Sequence, residues 1–155
     1  MAGRYAFTRL TADELPLVHR WLAAPHVSEW WPDGGDEIAQ VVAECDGEQA
    51  ETVPYLVQLQ DRPFAYLQCT REPSGVRGID QFIGEADLLN RGHGSGFIRQ
   101  FCDELFARSV PAVTTDPDPV NARAVRAYEK AGFRPVGPMD TPWGHVLLMQ
   151  KDNAS

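Results

Sequence analysis

The sequence predicts an α+β sandwich, a mixed and mostly antiparallel sheet flanked by helices on both faces. Three observations carry this. Apolar residues recur at helical spacing in four segments, and short strand-like runs bounded by turn residues lie between them. A strand, glycine loop, helix, strand order then demands a crossover among hairpins. At 155 residues, 43% hydrophobic and 23% charged, the chain reads as one globular domain over 1–155.

Each element has a local cause. Thr11-Ala12-Asp13-Glu14 has the form of a capping box, and Leu15, Val18 and Leu22 follow at helical spacing until Pro25 interrupts. Ile38, Val41, Val42 and Cys45 repeat at i, i+3, i+4 and i+7, predicting a second helix that Gly47 closes. Tyr55 to Leu59 and Phe64 to Cys69 flank Asp61-Arg62-Pro63 as an antiparallel hairpin, with Pro54 and Pro63 at strand starts where a missing amide is tolerated. Val76 to Ile83 is a further strand. After a loop with Gly92, Gly94 and Gly96, a helix buries Phe97, Ile98, Phe101 and Leu105. Val113 to Thr115 is a short strand, Asn121 to Ala131 a helix with Gly132 at its C′ position, and Phe133 to Val136 and Val146 to Met149 are closing strands.

Charge and cysteines exclude several functions. The formal charge is -8, so a general nucleic-acid or anionic-membrane binder is disfavoured and a cationic partner is favoured. The surplus is uneven. Positions 1–86 hold six basic against fourteen acidic residues, whereas 87–134 hold seven against six, including Arg91, Arg99, Arg123, Arg126, Lys130 and Arg134. An acidic half thus faces a cation, and a second half tolerates an anion; solvated helix faces would look the same. Three cysteines without C-x-x-C spacing indicate neither a disulfide framework nor zinc, and His19, His26, His93 and His145 share no ligand spacing, so no metal is assigned. The N-terminus lacks an apolar leader and no run is long enough to span a membrane, which predicts a cytoplasmic protein.

The Asn90-Arg91-Gly92-His93-Gly94-Ser95-Gly96 run opens a helix, where converging backbone N–H groups and the positive end of the dipole suit phosphate oxygens. It lacks the Gly-Lys-Ser/Thr ending of a P-loop and the acidic ribose reader of a dinucleotide fold. Together with Asn121-Ala122-Arg123-Ala124-Val125-Arg126-Ala127-Tyr128-Glu129-Lys130-Ala131-Gly132-Phe133 and the element order, it resembles the GCN5-related N-acetyltransferase (GNAT) superfamily. Val76 to Phe82, His26 to Trp31 and Thr115 to Asn121 are similar to the aminoglycoside 6′-N-acetyltransferases, and the likeness runs from about Phe7 to Gln150.

The resemblance implies a GNAT-like sheet, acetyl-CoA as cofactor, and direct acetyl transfer in a ternary complex to a primary amine of an aminoglycoside-like or other amino-sugar polyamine. That is the chemistry of antibiotic resistance. It places the CoA pyrophosphate on Arg91, Gly92, His93, Gly94 and Ser95, adds Phe82, Ile83, Asn121 and Arg126 to the cofactor site, and makes Tyr128 the acid that protonates the departing thiolate. The family's Gln or Arg at the loop head falls at Leu89 if Gly92 and Gly94 are its glycines; the other frame uses Arg91, Gly94 and Gly96. Only Arg71 to Gly75 precede the Gly-Ile-Asp strand, where relatives carry a longer acidic, tryptophan-rich loop. Trp143 stands where an acidic residue after Thr-Pro would hold the drug. A related group that acylates siderophore precursors carries a histidine where this chain has Asp80, and a non-catalytic acyl-CoA or amino-sugar binding module is the remaining alternative.

Acyl transfer needs an unprotonated nitrogen, a polarised carbonyl and a proton for the thiolate. Strand alternation puts Asp80 and Phe82 on one face and Ile79 and Gln81 on the other, so Asp80 is the candidate to bind the ammonium and accept its proton; a salt bridge to Arg77 is its structural alternative. A backbone N–H within Asp80 to Ile83 is expected to polarise the thioester. Tyr128 is also a core tyrosine by spacing, and Asn121 is equally a helix cap. Glu29, Trp30 and Trp31 form an amphipathic patch suited to a sugar face, and Asp116 and Asp118 a second acidic pair, or a turn. The protein is expected to act as a monomer or homodimer.

Overall fold

The computed structural model describes residues 3–142 and 144–154. Seven strands form one sheet: β1 (Tyr5–Arg9), β2 (Thr52–Leu59), β3 (Arg62–Arg71), β4 (Arg77–Ile83), β5 (Ala112–Thr115), β6 (Arg134–Thr141) and β7 (Gly144–Asp152). Their order is β1-β2-β3-β4-β5-β7-β6, and every pairing is antiparallel except β4 with β5. Five α-helices cover the two faces: α1 (Leu15–Leu22), α2 (Pro25–Ser28), α3 (Gly34–Glu44), α4 (His93–Ala107) and α5 (Ala122–Lys130). None among the described residues is long and apolar enough to cross a membrane.

The first helix begins as the sequence predicts. Glu14 accepts from the Thr11 amide at 2.9 Å, and a single 3-10 turn leads into α1. Pro25 does more than stop α1: it sits at the first position of α2, where its fixed φ suits a helix and its missing amide costs nothing. The hairpin turn falls on Gln60 and Asp61, both at positive φ, so Pro63 lies inside β3 rather than in the turn. Phe64 to Cys69 are all buried, because β3 is central and covered on both sides. Strand β1 has no counterpart in the sequence reading; its Tyr5, Ala6, Phe7 alternation is short and its burial depends on pairing with β2.

Two apolar cores result. One packs α4 and α5 residues Phe97, Ile98, Phe101 and Tyr128 against Phe64, Leu67 and Ile79. The other packs Val18, Trp21 and Ile38 from α1 and α3 against Leu56, Tyr66 and Phe82. Alternation along β4 is as predicted: Ile79 faces the first core and Phe82 the second. The parallel pairing of β4 and β5 ends after Gly78 and Thr114, although β4 continues to Ile83. The two strands therefore diverge, and that gap positions the site.

Candidate active site

A cleft of about 330 Å³ lies along the gap. Its walls are His26 and Val27 of α2, Trp30 and Trp31, Gln81 to Ile83 of β4, the first turn of α4, and the exposed side of α5 with Arg123, Arg126 and Lys130. Gly84 donates to the Phe64 carbonyl of β3, so backbone alternation turns the amides of Gln81 and Ile83 the other way, into the gap. The Thr115 hydroxyl takes the Ile79 carbonyl at 2.9 Å and closes the gap below them.

The glycine segment is mostly helix rather than loop, because α4 starts at His93. Gly92 is its N-cap at φ 82, a left-handed conformation that glycine adopts without strain. Gly92, Gly94 and Ser95 line the cleft, whereas Gly96 points away; a Cβ there would stand 2.7 Å from the Tyr5 hydroxyl. Leu89 also stands at the wall. Arg91 is exposed and outside the wall. The His93 side chain turns into the core, where its Nδ1 meets the Tyr5 hydroxyl at 2.9 Å, leaving only its backbone to the cleft side.

Beside the gap, Asp80 and Asp116 are hydrogen-bonded carboxyls. Burial, then the Asp116 charge and the Glu37 charge, push Asp80 up to about 7. Asp116 is raised too, by burial, against the hydrogen bond from Asp80. Burial thus holds both carboxyls of the pair above the ordinary carboxylate range. Gln68 reaches Asp80 at 3.5 Å and accepts from the Tyr66 hydroxyl at 2.7 Å. Arg77 makes no salt bridge to Asp80; its guanidinium donates to the Gly75 carbonyl at 2.8 Å.

Tyr128 is buried in the first core with its ring against Phe133, and its hydroxyl accepts from Gln81 at 3.5 Å. Burial and the Asp80 charge hold its pKa well above the usual range, so the hydroxyl stays protonated. Asn121 takes the capping alternative, its side chain accepting from the Ala124 amide at 3.3 Å at the start of α5, and it also lines the cleft.

The acidic and aromatic candidates separate. Trp30 and Trp31 line the cleft, and Trp31 also packs edge-on against Tyr66 and Phe82, but Glu29 is exposed outside it. Asp118 accepts from the Val120 amide at 3.0 Å, the turn alternative, and stands apart from the Asp80 pair. Trp143 lies outside the described residues. Sequence reasoning missed Glu37, Gln81 and His26, whose Nε2 lies 3.1 Å from the Ile83 carbonyl. Strand alternation gave a signal for Gln81, and His26 opens the His26 to Trp31 segment that carried the resemblance, but nothing pointed to Glu37.

A parallel strand pair splays beside a helix N-terminus, with a buried phenol and a carboxyl pair on the residues around it. The chain belongs to the GNAT acetyltransferase family: the sequence model of the acetyltransferase (GNAT) domain matches residues 11–141. The chain is 33% identical to an aminoglycoside N(6′)-acetyltransferase type 1 of Klebsiella pneumoniae, across 90% of this chain and 79% of that protein. A kanamycin resistance protein of Rhizobium radiobacter is 45% identical over 76 residues, 48% of this chain and 70% of its own length. Among solved structures, AAC(6′)-Ib in complex with parmomycin and acetyl-CoA superposes with a TM-score of 0.84 at 30% identity, over 97% of this chain and 94% of that one. The same enzyme with coenzyme A and kanamycin gives 0.83 at 30% identity, over 96% and 94% of the two chains.

Proposed function

We propose that this enzyme transfers the acetyl group of acetyl-CoA to a primary amine of an aminoglycoside, working as a single catalytic domain in the cytoplasm. The observation that carries the reading is the cleft wall, which brings α4 amides and α5 cations together beside β4, the strand that also bears Asp80, which with its partner Asp116 lies just off the lining. An anionic cofactor and a cationic acceptor meet between them. The names of the relatives, aminoglycoside acetyltransferases bound to CoA and to aminoglycosides, support the same pairing.

In this reading the Gly92, Gly94 and Ser95 segment takes the pyrophosphate on backbone amides, with Arg126 and Asn121 beside it, and Phe82 and Ile83 flank the pantetheine arm. The carboxyl pair binds the ammonium, and Asp80, once deprotonated, accepts one of its protons. The amine nitrogen then attacks the thioester carbonyl, whose oxygen a Gln81 or Ile83 amide stabilises. As the C–S bond breaks, Tyr128 gives its proton to the thiolate, and the second proton that the nitrogen sheds as the amide forms passes to solvent, from which Tyr128 regains one. Trp30 and Trp31 offer the sugar an apolar face. One chain supplies every group, so a monomer holds a complete site.

Thiol release from acetyl-CoA in the presence of kanamycin or ribostamycin tests the proposal. Acceptor-dependent release supports it. Thermal stabilisation by CoA with no release from any aminoglycoside would instead indicate a binding module or a different amine.

A further inference from the structure

A second cavity of about 130 Å³ opens near the other end of α4, whose 15 residues span about 22 Å. Its floor is apolar, with Val53, Leu105 and Val110 buried there. Three guanidinium groups, Arg71, Arg77 and Arg108, line it. Arg71 and Arg77 are register partners across β3 and β4, so two like charges stand directly opposite on a sheet, which is destabilising when nothing compensates.

Compensation by carboxylates is scarce here. Among the described residues no carboxylate ion-pairs with these three arginines. Arg71 donates to the Glu48 carbonyl and Arg77 to the Gly75 carbonyl, each at 2.8 Å, and each retains further N–H donors of its five-donor fork. A single carboxylate, Glu48, reaches the cavity wall, where its Oε2 accepts from the Tyr55 hydroxyl at 2.9 Å. The Cys69 thiol also lines the cavity, and burial pushes it up to about 11, so it adds no negative charge at neutral pH.

We propose that this cavity binds a small tetrahedral oxyanion, of the size and charge of phosphate or sulfate, between the facing Arg71 and Arg77 and under Arg108. Guanidinium forks match such oxygens in geometry as well as charge. The bound anion ties the turn end of the β3–β4 hairpin to the C-terminal end of α4, away from the first turn of α4 that lines the acetyl-transfer cleft.

Melting of the full chain tests this in phosphate, sulfate or chloride at equal ionic strength and pH, with CoA present to occupy the α4 N-terminus. Phosphate or sulfate at about ten times its Kd is expected to raise Tm by about 3–5 °C over chloride. Arg71→Met and Arg77→Met should each abolish the increment, and in chloride should melt no lower than the wild type because the facing charges are gone. Arg134→Met, on the far edge of the sheet, should keep the increment. If a strand variant fails to fold, exposed Arg108→Met serves and should shrink the shift. No increment in the wild type, or the same increment in the Arg71, Arg77 and Arg108 variants, overturns the site; an increment for only one anion identifies which oxyanion it takes.

Discussion

At the scale of the residue, burial raises the pKa of both Asp80 and Tyr128, which keeps the phenol protonated and brings the carboxyl's proton loss into the working pH range. Asp80 must lose a proton to serve as acceptor, and its raised pKa puts that loss near neutrality. We expect kcat/KM for the amine to rise with pH through about 7 in the wild type, and Asp80→Asn to lower turnover at least ~100-fold without that limb, while CoA affinity is unchanged. Linkage sets a second signature. Native Asp80 holds a proton that the unfolded chain releases at ordinary carboxylate pH, so its contribution falls as pH rises from the unfolded value to the folded one. Asp80→Asn should therefore melt above the wild type at pH values beyond that window, and the gap should close in acid. A variant that is destabilised but fully active would refute the role. For Tyr128→Phe, loss of a general acid predicts a turnover decrease of roughly 10- to 10⁴-fold with CoA binding kept; unaltered turnover would hand thiolate protonation to water.

At the scale of the element, α4 does two jobs through its first turn. Gly92, Gly94 and Ser95 face the cleft, while Gly96 yields to the Tyr5 hydroxyl that His93 holds from the other side. Gly96→Ala would put a methyl against that hydroxyl with a rigid ring behind it. Overpacking of this kind costs about 1–3 kcal/mol, so urea melting should show a loss of that order. Gly94→Ala meets only ordinary contacts, 3.8 Å from Ala127 and Ile83, and should fold normally but weaken CoA binding because the added methyl occupies the cleft wall. CoA titrations of the two variants separate the functions of neighbouring glycines. Equal effects of both substitutions on CoA affinity and stability would show that the turn acts as one unit.

At the scale of the molecule, the charge split becomes a spatial one. Basic Arg123, Arg126 and Lys130 line the cleft from one helix face, whereas Asp80 of β4, Asp116 just after β5 and Glu37 of α3 interact as an acidic cluster off its lining. Attraction of a polycationic acceptor to the acidic cluster is screened by salt over a Debye length of about 10 Å at 0.1 M. The KM for a multiply charged aminoglycoside should accordingly rise with ionic strength more steeply than that for a monoamine. Steady-state kinetics across a salt series measures this, and parallel slopes would mean that only one charge is read.

What was legible in the sequence was what local chemistry determines. The Thr11 to Glu14 box, the apolar stripe of α4, the continuous apolar run of central β3 and the alternation that sets Asp80 against Gln81 all follow from neighbours within a few residues. The glycine segment, the Asn121 to Phe133 pattern and the element order together were specific enough to indicate the family. Tertiary structure alone decided which groups converge. The Asp80 pKa depends on Asp116 and Glu37, 36 residues ahead and 43 behind in the chain. His93 turned inward because Tyr5 of an edge strand was there to bond it, and Asp118 closed a turn because Val120 offered the nearer amide. Burial and long-range fields act through distance in space, and sequence separation carries no record of that distance until β4 and β5 diverge.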